Sequence, residues 1–256
     1  MGLDISDILA DWPHKPGQVT ARRISGDDGT DKIQLRLDLG ILQMEAHGRP
    51  DGRRPKGCES LLAYYRQKLE KFRTERGGDE GFSLDERACE LLRAEAVMYY
   101  HRYLAEFVLE DFEAVARDTQ RNLDVMEFCG AYAEDPSDRY ILEQYRAYVV
   151  MMNTRARVKI CLADRRPKAA LAAVNDGIEQ IEDFLKRFGQ EEMSESSSEL
   201  AVLRVLAREI RAAVPRDPIE KLRDALERAV REERYEEAAA IRDRIDRAES
   251  GQDAEE

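Results

Sequence analysis

No run of apolar residues in this chain approaches the length that crosses a bilayer, which excludes a helical membrane protein. Cysteine is scarce. Cys58, Cys89, Cys129 and Cys161 stand far apart with no CxxC pair, so neither a disulfide framework nor a zinc knuckle is present. Histidine is scarcer still, with His14, His47 and His101 alone. Glu95 and His101 are six residues apart and do not share a helix face as a metal-binding pair would. Positive charge is in deficit, 41 Lys and Arg against 53 Asp and Glu, for a net charge of −12. An acidic whole opposes broad binding to nucleic acid, which needs clustered cations to displace counterions, and leaves room only for a local basic patch. The first residues, MGLDISDILADW, are acidic where an export signal is basic and then apolar, so a cytoplasmic protein in a reducing compartment is expected. What is abundant is charge, 37% of 256 residues, as long solvent-facing helices require. That length suffices for one domain of moderate size or two small ones.

Ile5, Ile8, Leu9 and Trp12 recur at helical spacing and predict a short helix ended by Pro13. Two readings stand: a peptide that docks in a partner's groove, or a staple on its own domain. From Gln18 the period changes to two. Val19, Ala21 and Arg23, then Ile33, Leu35, Leu37, Leu39 and Ile41, alternate with polar residues around the turn cluster Ser25–Asp31. This predicts a β-hairpin of 18–25 and 32–39, with a possible extension over 41–46. Two strands are marginal alone, so the hairpin must lie on the helices or pair with another chain. The segment 47–58 is a loop by its glycines and prolines. Its Arg49, Arg53, Arg54 and Lys56 are candidate anion ligands, although the GKS or GKT end of a phosphate loop is absent. The opposing reading is a solvated connector whose arginines pair with the acids of this chain.

Beyond Glu59 the pattern is helical. An amphipathic helix over 59–73 is followed by a capping box at Ser83 and Glu86. Helices over 84–109, 112–129, 138–164 and 167–188 come next, with Cys129-Gly130 as a stop and Pro167 in a first turn. A polar linker, 189–198, precedes a last helix over 199–214. Asp111–Val115 aligns with Arg166–Ala170, which also matches Leu123 with Ile178. This echo predicts tetratricopeptide-like helix pairs or a bundle, with a period longer than the usual one. Tyr99, Tyr100, Tyr103, Phe107, Tyr132, Tyr140, Tyr145 and Tyr148 cluster there, as core or as the lining of a peptide groove. The fold class expected is mainly α, with an N-terminal β-hairpin and a C-terminal αα-hairpin. The divisions are 1–58, 59–214, 215–250 and a disordered tail over 251–256.

Residues 217–249 are the most specific stretch. Asp217 caps and Pro218 enters a helix striped by Ile219, Leu222, Leu226, Ala229 and Val230. After Arg231–Arg234 a second helix carries Tyr235, Ala238, Ala239, Ile241, Arg242 and Ile245. So short an αα-hairpin is not expected to bury both stripes within itself, which calls for a partner surface. Glu233, Tyr235, Glu236, Ala238, Ala239, Ile241, Arg242, Asp243 and Ile245 fall without a gap on E-x-[FY]-E-x-A-A-x-[LI]-R-D-x-I. The segment thereby resembles the UVR motif, the helical hairpin of the excision-repair proteins UvrB and UvrC, where it joins the two by hairpin-to-hairpin packing. Similar hairpins occur in McsA, the activator of a protein arginine kinase, and in Clp-associated proteins. Residues 32–52 are similar to the N-terminal part of uncharacterised bacterial UVR-motif proteins. The resemblance implies an interaction module acting on another UVR-type hairpin or on a second copy, through Leu222, Leu226, Tyr235, Ala238, Ala239, Ile241, Arg242 and Ile245.

The departures from those families are plain. There is no helicase Walker loop, no nuclease domain and no zinc-binding CxxC pair. No histidine or cysteine has a partner at catalytic spacing, and Cys58 in its basic loop reads as an ordinary thiol. The expectation is a non-enzymatic adaptor without cofactor or metal. An accessory DNA-repair protein that touches nucleic acid through Arg49, Arg53, Arg54 and Lys56, and a proteostasis adaptor of the McsA type, are the alternatives.

Overall fold

The computed structural model describes residues 4–213 and 218–249. The tail over 251–256 lies outside them. The chain divides into two compact units, with the division falling between Arg208 and Glu209.

In the larger unit a short helix α1 (Ser6–Ala10) leads into a three-stranded antiparallel sheet of order β1-β2-β3. Its strands are β1 (Thr20–Ser25), β2 (Asp31–Leu37) and β3 (Gly40–Glu45). The expected second strand ends two residues early. Leu39 stands almost fully exposed in a tight turn, and β3 pairs back so that Leu35 faces Leu42 and Ile33 faces Met44. Cross-strand partners share a face, so Ile33, Leu35 and Met44 form one apolar side, and it packs on Ala105 and Leu109. The third strand and the helical segment that carries Ala105 supply the burial that a lone hairpin lacks. The sheet and the helices are therefore one unit, and no division falls near residue 58.

The helices of this unit are α2 (Leu61–Arg76), α3 (Glu86–Val108), α4 (Phe112–Tyr132), α5 (Pro136–Tyr140), α6 (Arg146–Ala163), α7 (Pro167–Arg187) and α8 (Ser198–Ala213), the last of which contains the boundary. The strongest packing is sequential: α3 on α4, α4 on α6, α6 on α7. The echo between 111–115 and 166–170 marks two copies of one joint. Glu110 (φ 58°) and Arg165 (φ 56°) are left-handed. The next N–H reaches back five residues in both, Asp111 to the Glu106 carbonyl at 3.0 Å and Arg166 to that of Cys161 at 2.8 Å. This is the Schellman closure that ends one helix and starts its antiparallel neighbour. Val115 and Ala170, matched by the echo, are both fully buried.

Three boundaries differ from the sequence reading. Asp85, not Ser83, caps α3, accepting from the Ala88 N–H at 2.7 Å, while the Ser83 hydroxyl donates to Glu134. Gly130 does not stop α4. The helix runs on to Tyr132, where Leu84 bridges the chain by donating to the Tyr132 carbonyl and accepting from Glu134 N–H. The helix expected over 138–164 is broken. Between α5 and α6 the chain bends, Leu142 packs on the α2–α3–α4 core, and Glu143 clamps the Arg146 guanidinium at 2.5 and 2.7 Å.

The smaller unit holds the helical hairpin of α9 (Pro218–Arg231) and α10 (Tyr235–Glu249). Its turn repeats the same joint: Glu233 is left-handed (φ 58°), and Arg234 N–H bonds the Ala229 carbonyl at 2.8 Å.

Candidate interaction site

Alanine at 229 and 238 lets α9 and α10 approach closely, and the hairpin closes a core of its own. Ala229, Ala238, Ile241 and Ile245 are buried together, with Leu222, Ala225 and Leu226 packed against them. This corrects the expectation that so short a hairpin leaves its stripes for a partner. Small residues at the crossing bring the two stripes close enough to cover each other. The eight residues assigned to partner contact accordingly divide. Leu222, Leu226, Ala238, Ile241 and Ile245 serve the internal core. Tyr235, Ala239 and Arg242 are exposed and lie at i, i+4 and i+7 on one outer face of α10. Tyr235 is 66% exposed, and Val230 of α9 is also open to solvent. Around the turn Arg234 pairs with Glu232 at 2.6 Å and with Glu237. The outer face thus offers an aromatic ring, a flat alanine step and a guanidinium, a composition suited to a second helical surface.

The four cations of the basic loop are placed unequally. Arg49 is largely covered, with its Nε 3.0 Å from Asp51 and 3.4 Å from the fully buried carboxylate of Glu95. Arg53 projects into solvent with Asp51 at 3.9 Å. Lys56 adopts a left-handed turn (φ 54°). The hollow that contains Arg49, Arg53 and Arg54 is also lined by Asp28, Glu45 and Glu59. Of these, Asp28 and Glu45 pair with Lys32, at 2.9 Å for Asp28.

Sequence reasoning treated the acids as solvation and so missed a buried charge cluster between α2, α3 and α4. Glu95 accepts from the Leu61 N–H at 2.9 Å and the Leu62 N–H at 3.4 Å, capping α2, and also takes the Arg121 guanidinium. Arg121 lies 3.8 Å over the Tyr99 ring. Arg102 grips Asp118 with two bonds, 2.6 and 3.0 Å, and donates to the carbonyls of Glu45 and Gly48. That fork fixes the start of the basic loop to α3 and α4. Glu106 has one oxygen 3.0 Å from Arg117 and the other without a partner. Burial and the neighbouring Asp118 push its carboxyl up to about 8. Such a signal is hidden in sequence, because Glu and Arg at these positions look like any helix surface.

Burial raises the Cys89 thiol and pushes Cys129 up to about 12, the opposite of thiolate activation. Cys58 Sγ lies 3.3 Å from the Gln67 side-chain oxygen. Burial depresses His101, and His14 pairs with Asp38 at 2.5 Å. Among the described residues no group of His, Cys, Asp and Glu is arranged to hold a metal ion. No described helix is long and apolar enough to cross a membrane.

With this geometry in view, a family model described as the UvrB/uvrC motif matches residues 216–250, the hairpin itself. No curated protein and no solved structure matches the chain. The match supports an interaction role, either between proteins or in association with DNA repair.

Proposed function

We propose that the chain is a non-enzymatic protein–protein adaptor, whose α10 face engages a UVR-type hairpin of another protein or of a second copy. The observation that carries this reading is the family match on a hairpin whose core is already closed. Because Ala238, Ile241 and Ile245 are spent internally, Tyr235, Ala239 and Arg242 remain for the partner. Arg49 of the 48–57 loop is held by Asp51 and Glu95, which favours this reading over one through nucleic acid.

The test uses the full chain and its Tyr235→Ala/Ala239→Glu variant as baits in native lysate, with captured proteins identified by mass. Wild type should retrieve a protein that carries a UVR-type hairpin, or itself, and the variant should retrieve neither. Hydrogen exchange of α9 and α10 should be the same in both, since the two positions lie outside the hairpin core. Equal capture by bait and variant, or capture without any hairpin-bearing protein, overturns the proposal. Whether the partner belongs to repair or to proteolysis then assigns the pathway.

A further inference from the structure

The buried charge cluster borders a cavity of about 460 Å³, within the about 300–1,000 Å³ of small-molecule sites. Leu62, Ala63 and Arg66 of α2 line it, with Tyr99 of α3 and with Arg117 and Arg121 of α4. Arg117 and Arg121 stand one turn apart on one face of their helix.

This lining carries more donors than the protein's own acceptors satisfy. Ser60, which also lines the cavity, is 7% exposed. Its oxygen accepts from the Ala63 N–H at 3.1 Å, and its hydroxyl hydrogen has no acceptor among the described residues. Tyr99 is 4% exposed, and its hydroxyl has no partner among them either. Arg66 gives Nη2 to Asp124 at 3.0 Å and keeps Nε and Nη1. Arg117 gives Nε to Asp118 and Nη2 to Glu106, and keeps Nη1. Both guanidiniums are about half exposed. The carboxylates, in contrast, are taken. Asp118 accepts from Arg102 and Arg117, and Asp124 from Arg66 and Gln120. Glu59 is the one lining acid with no partner among the described residues, and it is exposed. Positive charge is crowded here: burial, with Arg49 and Arg66 nearby, pulls the Arg121 guanidinium down to about 9.

Unmatched donors on three helices call for an anion with several acceptor oxygens. A carboxylate has two; a phosphate monoester has three and accepts from two arginines at once. We propose that this cavity binds a small organic phosphate, whose phosphate meets Arg66, Arg117 and the Tyr99 hydroxyl and whose organic part rests on Leu62 and Ala63. The site is separate from the α10 face, and the Tyr235→Ala/Ala239→Glu change leaves it intact.

Calorimetric titration of the full chain at fixed ionic strength tests this, with ribose 5-phosphate, AMP, inorganic phosphate and ribose as probes. At least one of the two esters should saturate a single site with a Kd below about 1 mM, and ribose should not bind. Inorganic phosphate binding as tightly as the esters overturns the organic part of the proposal. Arg66→Gln and Arg117→Gln should each weaken ester binding about tenfold or more, as loss of a charged hydrogen bond does. Tyr99→Phe deletes an oxygen that holds nothing within the protein and should weaken it about threefold. Glu59→Gln removes a like charge and should tighten it. Arg53→Gln/Arg54→Gln alters the neighbouring hollow and should change nothing. Circular dichroism checks that each variant folds, and Arg66→Gln carries the test if Arg117→Gln does not. No saturation by either ester at about 10 mM, equal binding by the Arg66 and Arg117 variants, failure of Glu59→Gln to tighten binding, or an equal loss in Arg53→Gln/Arg54→Gln each overturns the proposal.

Discussion

Replacing Gly177 with alanine sets two effects of opposite sign against each other at one atom. Gly177 is buried in α7 where that helix crosses α6. A Cβ built there would lie 2.1 Å from Thr154 Oγ1, 2.6 Å from its Cγ2 and 2.8 Å from its Cβ. Rotating Thr154 exchanges one clash for the other, because both branches and the Cβ itself are too near. Thr154 is 1% exposed and has no space into which to retreat. Helix propensity alone favours alanine over glycine by about 1 kcal/mol. Overpacking a buried contact costs about 1–3 kcal/mol, and the upper part of that range, about 2–3 kcal/mol, applies here because backbone must move where no flexible chain end is involved. The clash should win, with a net loss of about 1–2 kcal/mol, or roughly 2–8 °C in Tm for a unit of this size. Thermal unfolding by circular dichroism measures it. A double-mutant cycle with Thr154→Ala, which deletes Oγ1 and Cγ2, should return about 1 kcal/mol of the loss. A Gly177→Ala protein as stable as wild type, or more so, would show that α6 and α7 do not approach this closely.

Two further outcomes follow from the buried charge cluster. Glu95→Gln leaves Arg121 and Arg49 without their shared carboxylate, so it should cost about 3 kcal/mol in denaturant unfolding and lower the exchange protection of the Leu61 and Leu62 amides, which Glu95 accepts; a change below about 0.5 kcal/mol refutes the cluster. The Glu106 carboxyl is raised from 4.5 to about 8, so it holds its proton more tightly folded than unfolded, and its contribution to stability, full below about pH 4.5, declines as pH rises toward 8. Glu106→Gln cannot ionise and should remove that decline, so that the variant gains on wild type between pH 5 and pH 8; parallel Tm profiles would refute the raised value.

The sequence was most legible where one short-range rule acted alone. The joints at 110–111 and 165–166 were visible as an internal echo because a helix closure and the next helix start are fixed by a few adjacent residues. The hairpin over 218–249 was visible for the same reason, and its motif matched a family model without help from the fold. Boundaries failed where a distant residue decided them. Leu84 holds the end of α4 beyond Gly130, and the bend at 141–145 places Leu142 on a core built by α2, α3 and α4.

Site residues follow the same division. Periodicity put Ala238, Ile241, Tyr235 and Ala239 on α10, but it did not say which stripe faces α9 and which faces out. That is set by the crossing of two helices, a relation between residues from different segments. Likewise Glu95, Arg102, Asp118 and Arg121 are unremarkable as charges on helices. Only their meeting, sealed by Tyr99 and the basic loop, turns them into a buried cluster. Local spacing therefore determined the helices, their joints and the UVR-type hairpin of this protein. Tertiary packing alone decided which charges left water and which face of the hairpin stayed in it, because burial is a property of neighbours brought together by the fold.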